Sequence, residues 1–215
     1  MTSIPLSGAK RQRYTAPMNI QPNAAVRAAI TGVVLAGGEG SRLGYRDKAL
    51  LIWRQRPFIA HILEGLRPQV AQVIVNSHSS AIAAAVKTPM LPDPFPERRG
   101  PLAGILAGLN YAVTPFTLFV PCDNPHIPCD LAPRLHAALN DSGADIAYAA
   151  TSAGDHYLHV LIRTTLRERL RLFLESGQRA VRQWYAQENS CRVEFDDDRA
   201  FANINTPEAL NQLSQ

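Results

Sequence analysis

The chain has 215 residues, 46% of them apolar and 19% charged, which suits one ordinary globular domain and excludes disorder over most of the length. Three cysteines (Cys122, Cys129 and Cys191) in unpaired spacing exclude a disulfide scaffold, a zinc knuckle and a CxxC redox pair, and read as free thiols of a cytoplasmic protein. The formal charge of +4 arises in the first 31 residues, which hold Lys10, Arg11, Arg13 and Arg27 and no acid; the remaining 18 basic and 18 acidic side chains cancel, so nothing marks a nucleic-acid partner.

Residues 1–30 are expected to form a flexible basic leader, because Pro5, Pro17 and Pro22 interrupt any amphipathic helix and no apolar segment with a cleavage site marks a secretory signal. The folded domain is expected over residues 31–215. Residues 31–36 (TGVVLA) run apolar into glycines, the pattern of a buried strand that empties into a loop. An extended excursion follows at 49–53 with a turn at Arg54 and Gln55, and Pro57 opens a helix with Phe58, Ile62, Leu63 and Leu66 on its apolar face. Further strands are predicted at 72–76 (QVIVN), 116–120 (FTLFV), 145–150 (DIAYAA), 159–163 and 191–195, and helices at 79–86, 101–113, 131–139, 165–175, 179–187 and 206–213. The longest uncharged stretch, 100–122, is broken by Asn110, Thr114, Pro115 and Pro121 and divides into a helical and a strand half, so no membrane span is predicted. Strands alternating with helices predict a single three-layer, Rossmann-like α/β domain, its sheet mainly parallel with helices on both faces. In such sheets ligands bind outside the carboxyl ends of the strands, so the residues just after each strand are the candidates for chemistry.

After the first strand come Leu35, Ala36, Gly37, Gly38, Gly40, Ser41, Arg42, Gly44 and then Asp47 and Lys48. Closely spaced glycines let backbone N–H groups converge on an anion, and Arg42 and Lys48 add charge matched to phosphate oxygens. The loop is neither a P-loop, which needs Gly-Lys-Ser/Thr, nor a dinucleotide fingerprint, which needs glycine where Leu43 stands. The six histidines show no H-x-x-x-H spacing, so no zinc site is expected, and His156 and His159 read as surface or substrate-edge residues.

The segment LAGGEGSRLGYRDKALL resembles the LAGG-x-S-x-R-M-G-x-x-K signature of nucleotidyltransferases, and most narrowly that of the molybdenum cofactor guanylyltransferases. The resemblance continues in order through Asn76 at the end of the second strand, Asp93 in LPDPFPERRGPLAG, Asp123 in VPCDNP and the segment FANINTP that contains Asn205, over about residues 31–213. It departs at HYLHVL (156–161), where the family usually carries a proline on the acceptor side.

The resemblance implies transfer of GMP from GTP to the terminal phosphate of molybdopterin, with or without molybdenum, and release of pyrophosphate. Molybdenum-insertion proteins and apo-molybdoenzymes are the implied further partners. Leu35, Ala36, Gly37, Gly38, Lys48, Asn76, Asp93 and Asp123 would then bind the nucleotide, with Arg42, Lys48 and Asp123 catalytic and Arg99, Gly100 and Gly104 on the acceptor side. The chemistry asks for a grip on the triphosphate and for stabilisation of the leaving group, and a Mg²⁺ ion needs hard oxygen ligands. Asp123, at the end of an apolar strand between Pro121 and Pro125, suits that ion, with Asn205 a second candidate; their structural alternatives are a helix cap and an Asx-turn. Cytidylyl relatives tend to carry LAAG where this chain has LAGG, so the resemblance favours guanine, and Gly37 leaves room for a purine. The rival functions are a CTP-dependent molybdopterin transferase, a sugar-1-phosphate transferase, and a non-catalytic cofactor-binding adaptor.

Overall fold

The computed structural model describes residues 12–14, 23–37, 47–94 and 100–204. In chain order these form β1 (Gln12–Tyr14), α1 (Ala24–Ala28), β2 (Ile30–Leu35), β3 (Ile52–Trp53), β4 (Arg56–Pro57), α2 (Phe58–Leu66), β5 (Gln72–Asn76), α3 (Ser80–Ala85) and β6 (Met90–Leu91). They continue through α4 (Pro101–Tyr111), β7 (Phe116–Pro121), α5 (Leu131–Ser142), β8 (Ile146–Thr151), β9 (Gly154–Arg163), α6 (Arg167–Glu175), α7 (Val181–Gln187) and β10 (Ser190–Glu194). Eight strands form one sheet in the order β1-β10-β8-β9-β7-β2-β5-β6, and β3 and β4 make a separate hairpin. Within the large sheet β9 runs against both its neighbours, and the other described strands are parallel to one another.

The apolar runs become strands because both faces of the sheet are covered. In β2, Ile30 and Val34 enter the core beneath α2 and α5, whereas Val33 and Leu35 enter the core beneath α4, α6 and α7. β7 repeats the pattern, with Phe116, Leu118 and Val120 on the first side and Phe119 on the second. Two glycines of α4 let that helix come down onto the sheet. A Cβ at Gly108 would stand 2.6 Å from the Phe119 ring, and one at Gly104 would meet Leu35 and Asn76.

The three-layer, mainly parallel fold is as the sequence predicts. One strand is longer than predicted: β9 begins at Gly154, not 159, because it returns antiparallel directly from β8. Helix α5 runs on to Ser142 and stops where Gly143 takes a left-handed conformation, φ 65°. Its first turn is capped from another element, by the buried Gln69, whose Oε1 accepts the Ala132 N–H at 2.9 Å. Asp130 stands at the N-cap position and makes no capping bond. Within residues 1–30, β1 extends the sheet beyond β10, the Tyr14 hydroxyl donates to Asp141, and Asn23 caps α1 by accepting the Val26 N–H at 2.8 Å. The helix predicted at 206–213 lies outside the described residues.

Candidate active site

The carboxyl ends of β2, β5 and β7 are tied to one another where the strands stop. Ala36 N–H donates to the Asn76 carbonyl at 2.9 Å, and Cys122 N–H donates to the Leu35 carbonyl at 3.2 Å. Beyond these ties lies a cavity of about 170 Å³ whose walls include Leu35, Ala36, Gly37, Lys48, Asn76, Asp93, Gly100, Gly104 and Asp123. Residues far apart in the chain therefore meet at the strand ends, where the parallel topology places ligands.

One wall is built from Asn76. Its amide donates to Asp93 Oδ1 at 2.8 Å and to the Leu91 carbonyl at 3.1 Å, which fixes both the flip of the amide and the position of the Asp93 carboxylate. The imidazole of His78 accepts the Asp93 N–H at 3.2 Å, a second hold on the same residue. A Cβ at Gly37 would meet Asn76 Oδ1 at 3.5 Å and Asp93 Oδ2 at 3.9 Å, so Gly37 keeps this wall open without being sterically forced. Gly104 is different: a Cβ there would stand 2.3 Å from Asn76 Oδ1. Gly100, at φ 69°, adopts a backbone that favours glycine and turns the chain into Pro101 at the start of α4.

The opposite wall carries charge. Asp123 follows β7 with one carboxylate oxygen, Oδ1, buried without a hydrogen-bond partner. Burial pushes its carboxyl above the ordinary range, and the Lys48 ammonium pulls it partway back. An orphaned, dehydrated carboxylate oxygen facing a cavity is a fitting ligand for a hard divalent cation, and Asp123 caps no helix. The neighbouring Cys122 thiol is pushed up to about 12 by burial and by Asp123, so it is no nucleophile at neutral pH. The Asp123 backbone is latched from the far end of the chain: Ile204 N–H donates to its carbonyl at 3.0 Å, and the buried Asn124 amide donates to the Ala200 carbonyl at 2.5 Å.

The structure thus brings Leu35, Ala36, Gly37, Lys48, Asn76, Asp93, Gly100, Gly104 and Asp123 together around one cavity. Gly38, Arg42, Arg99 and Asn205 lie outside the described residues. Gly104 is buried against Leu35 and Asn76 at the cavity wall, so its small size serves the approach of α4 to the sheet. His159 corrects the sequence reading: it is 2% exposed, with its ring edge-on to Phe201 at 5.0 Å, and burial holds its pKa down at about 3. His156, half-buried, stacks on the same Phe201 ring at 4.8 Å and lies edge-on to His159 at 6.2 Å.

Sequence reasoning missed Asp47, His78, Ser79 and Leu158. His78 and Ser79 directly follow β5, which is the available signal, and Asp47 precedes the turn at Lys48; His78 reaches Asp93, and Ser79 Oγ donates to Asp47 Oδ2 at 2.5 Å. Leu158 carried no signal, because only the antiparallel course of β9 brings it to the cavity. Among the described residues no group of three or more His, Cys, Asp or Glu could hold a metal, and no helix is long and apolar enough to cross a membrane.

A family model described as a MobA-like NTP transferase domain matches residues 32–191. The molybdenum cofactor guanylyltransferase of Ralstonia nicotianae is 42% identical over 196 residues, covering 86% of this chain and 96% of that protein. The protein of that name from Bordetella pertussis is 42% identical over 189 residues, with the same coverage. Among solved structures, molybdopterin-guanine dinucleotide biosynthesis protein A from Archaeoglobus fulgidus shares the fold with a TM-score of 0.72 at 20% identity, covering 85% of this chain and 95% of that one. A nucleotidyl transferase from Methanothermobacter shares it with a TM-score of 0.68 at 19% identity, covering 86% and 95%.

Proposed function

The chain belongs to the MobA-like NTP transferase family, and from that premise we infer that it transfers GMP from GTP to the terminal phosphate of molybdopterin and releases pyrophosphate. The observation that carries this reading is a buried Asp123 oxygen without a hydrogen-bond partner, within electrostatic reach of the Lys48 cation, in a cavity also lined by Asn76, Asp93 and Gly37. The product is the guanine dinucleotide form of the molybdenum cofactor.

Asn76 and Asp93, locked to each other, offer the polar wall for the nucleoside, with Leu35, Ala36 and Gly37 as the adjoining backbone; Gly38, next in the chain, belongs to the same proposal. Lys48 and Arg42 balance charge that gathers on the departing pyrophosphate. Asp123 would hold Mg²⁺, with Asn205 in the chain next to the Ile204 latch; when bound, the ion supplies charge stabilisation at the reacting phosphate. Arg99, Gly100 and Gly104 form the proposed acceptor side. No side chain need act as general base, since a phosphate monoester loses its second proton near pH ~6 and is already an anionic nucleophile. The remaining task is to align two highly charged groups, which the cations perform.

Three free thiols support a cytoplasmic setting, and hand-over of the product to apo-molybdoenzymes belongs to the same proposal. The test is thermal stabilisation by each of GTP, CTP, ATP and UTP with Mg²⁺, followed by pyrophosphate release in the presence of molybdopterin. GTP should stabilise most and release should require the pterin. Equal stabilisation by CTP would favour the cytidylyl rival, and binding without release would favour a cofactor-binding adaptor.

A further inference from the structure

We propose that Ser79 is a positioning residue for Lys48, acting through Asp47. Lys48 opens a short 3-10 turn (Lys48–Leu50) whose preceding residue is Asp47, and the Leu50 N–H donates to the Asp47 carbonyl at 2.8 Å. Three residues of 3-10 helix do not hold themselves in place. The Asp47 carboxylate is fastened to a different element: its Oδ2 accepts the Ser79 hydroxyl at 2.5 Å, a charge-assisted bond.

The direction of that bond is set by its surroundings. Ser79 Oγ already accepts the Ile82 N–H at 3.3 Å as the cap of α3, so its own proton is free to go to Asp47. Ser79 is held in turn, since its N–H donates to Ser77 Oγ at 3.1 Å and the Ser77 N–H donates to the Leu91 carbonyl at 3.1 Å. The loop from Asn76 to Ser79 therefore grips both walls of the cavity, Asp93 through Asn76 and His78 and the Lys48 turn through Ser79. A lysine stem is flexible, and a fixed turn beneath it limits where its ammonium can stand.

The proposal rests on the reading of the cavity as a GTP site with Lys48 facing the leaving group, and its test keeps the two separable. Ser79→Asp retains a good cap oxygen but sets a second carboxylate against Asp47; Ser79→Thr retains the hydroxyl. In steady-state GMP transfer, Ser79→Asp should lower kcat about tenfold or more and move KM for GTP less than about threefold, with Tm close to the wild type, and Ser79→Thr should recover most of the rate. Ser79→Asp turning over at the wild-type rate, or Ser79→Thr failing like Ser79→Asp, would overturn it. A readout without turnover is competitive acetylation by acetic anhydride, followed by mass spectrometry, with the exposed Lys87 as internal reference. The Lys48-to-Lys87 labelling ratio should change about threefold or more in Ser79→Asp and stay near wild type in Ser79→Thr. An unchanged ratio in Ser79→Asp overturns the proposal even if the wild type transfers no GMP, a result that would count against the GTP reading by itself.

Discussion

The amide oxygen of Asn76 occupies the space that a side chain on Gly104 would need: a Cβ built at 104 stands 2.3 Å from Asn76 Oδ1 and 2.9 Å from a Leu35 methyl. Gly104→Ala must therefore move Asn76, and Asn76 holds Asp93. Overpacking of this kind costs about 1–3 kcal/mol of stability, and here GTP affinity should fall with it, by about tenfold. Gly108→Ala, which meets the Phe119 ring one turn away, should cost similar stability and leave affinity nearly unchanged. Calorimetric titration with GTP and thermal unfolding of both variants check the contrast; equal loss of affinity in the two would mean that Asn76 is not the link.

Asp123 should weaken the fold that it serves. Burial raises its folded pKa above the unfolded value, so the native state binds the proton more tightly and stability is lost as pH rises through the window from about pH 4 to the folded pKa. With chelator at pH 7, Asp123→Asn should melt higher than the wild type, and the gap should close on acidification to about pH 4. Added Mg²⁺ should raise the wild-type Tm and not that of the variant. Turnover should fall roughly a hundredfold or more while GTP affinity changes less than tenfold, because the group acts mainly on charge that develops in the transition state. A variant that melts lower than the wild type in chelator would refute the account of Asp123 as a buried carboxylate whose dehydration Lys48 only partly offsets.

His159 should set part of the acid limit of the protein. Its pKa is about 3 in the fold, pushed down by burial and by His156, against 6.5 for an ordinary histidine. Between those values the unfolded chain binds the extra proton, so stability is full above pH 6.5 and is lost as pH falls towards 3, by about 1.4 kcal/mol for each pH unit at most. In urea unfolding, His159→Leu should show a smaller drop in stability between pH 7 and pH 5 than the wild type. Transfer activity at pH 7.5 should survive in any variant that folds, as a mechanism without a general base requires.

Much of this was legible from local pattern. Ile30, Val33 and Val34 announce a strand buried on both sides, the strand-end rule points to Asn76 and Asp123, and the family resemblance adds Asp93, which follows the short β6 that no periodicity announces. His159 was misread because its burial depends on Phe201, which returns over it from beyond the last strand. The same holds for Gln69, whose capping of α5 joins positions that no periodicity relates. Contacts between distant segments made by a single polar atom leave no trace in composition or spacing.

The N-terminal residues should guard an edge of the sheet. β1 covers β10, and without it the backbone of Ser190–Glu194 would be an open strand edge of the kind that pairs with other chains. Removal of residues 1–22 leaves Asn23 to cap α1. We expect GMP transfer within about twofold of the full chain, together with concentration-dependent self-association by light scattering. Loss of activity in a truncated form that stays folded and monomeric would reveal a direct role of the leader in turnover.

The Ile204 latch on Asp123 has a consequence for the order in which the protein becomes an enzyme. Ribosomes make the β7 loop midway and Ile204 only after β10, so a nascent chain can hold all the described strands while the loop that carries Asp123 still lacks its fastening. A message cut short between Glu194 and Ala200 would yield a product with every described strand but neither the Ile204 nor the Ala200 bond. The loop that carries Asp123 is thus fastened by a segment translated after every described strand, so closure of the latch reports that the chain was read through β10.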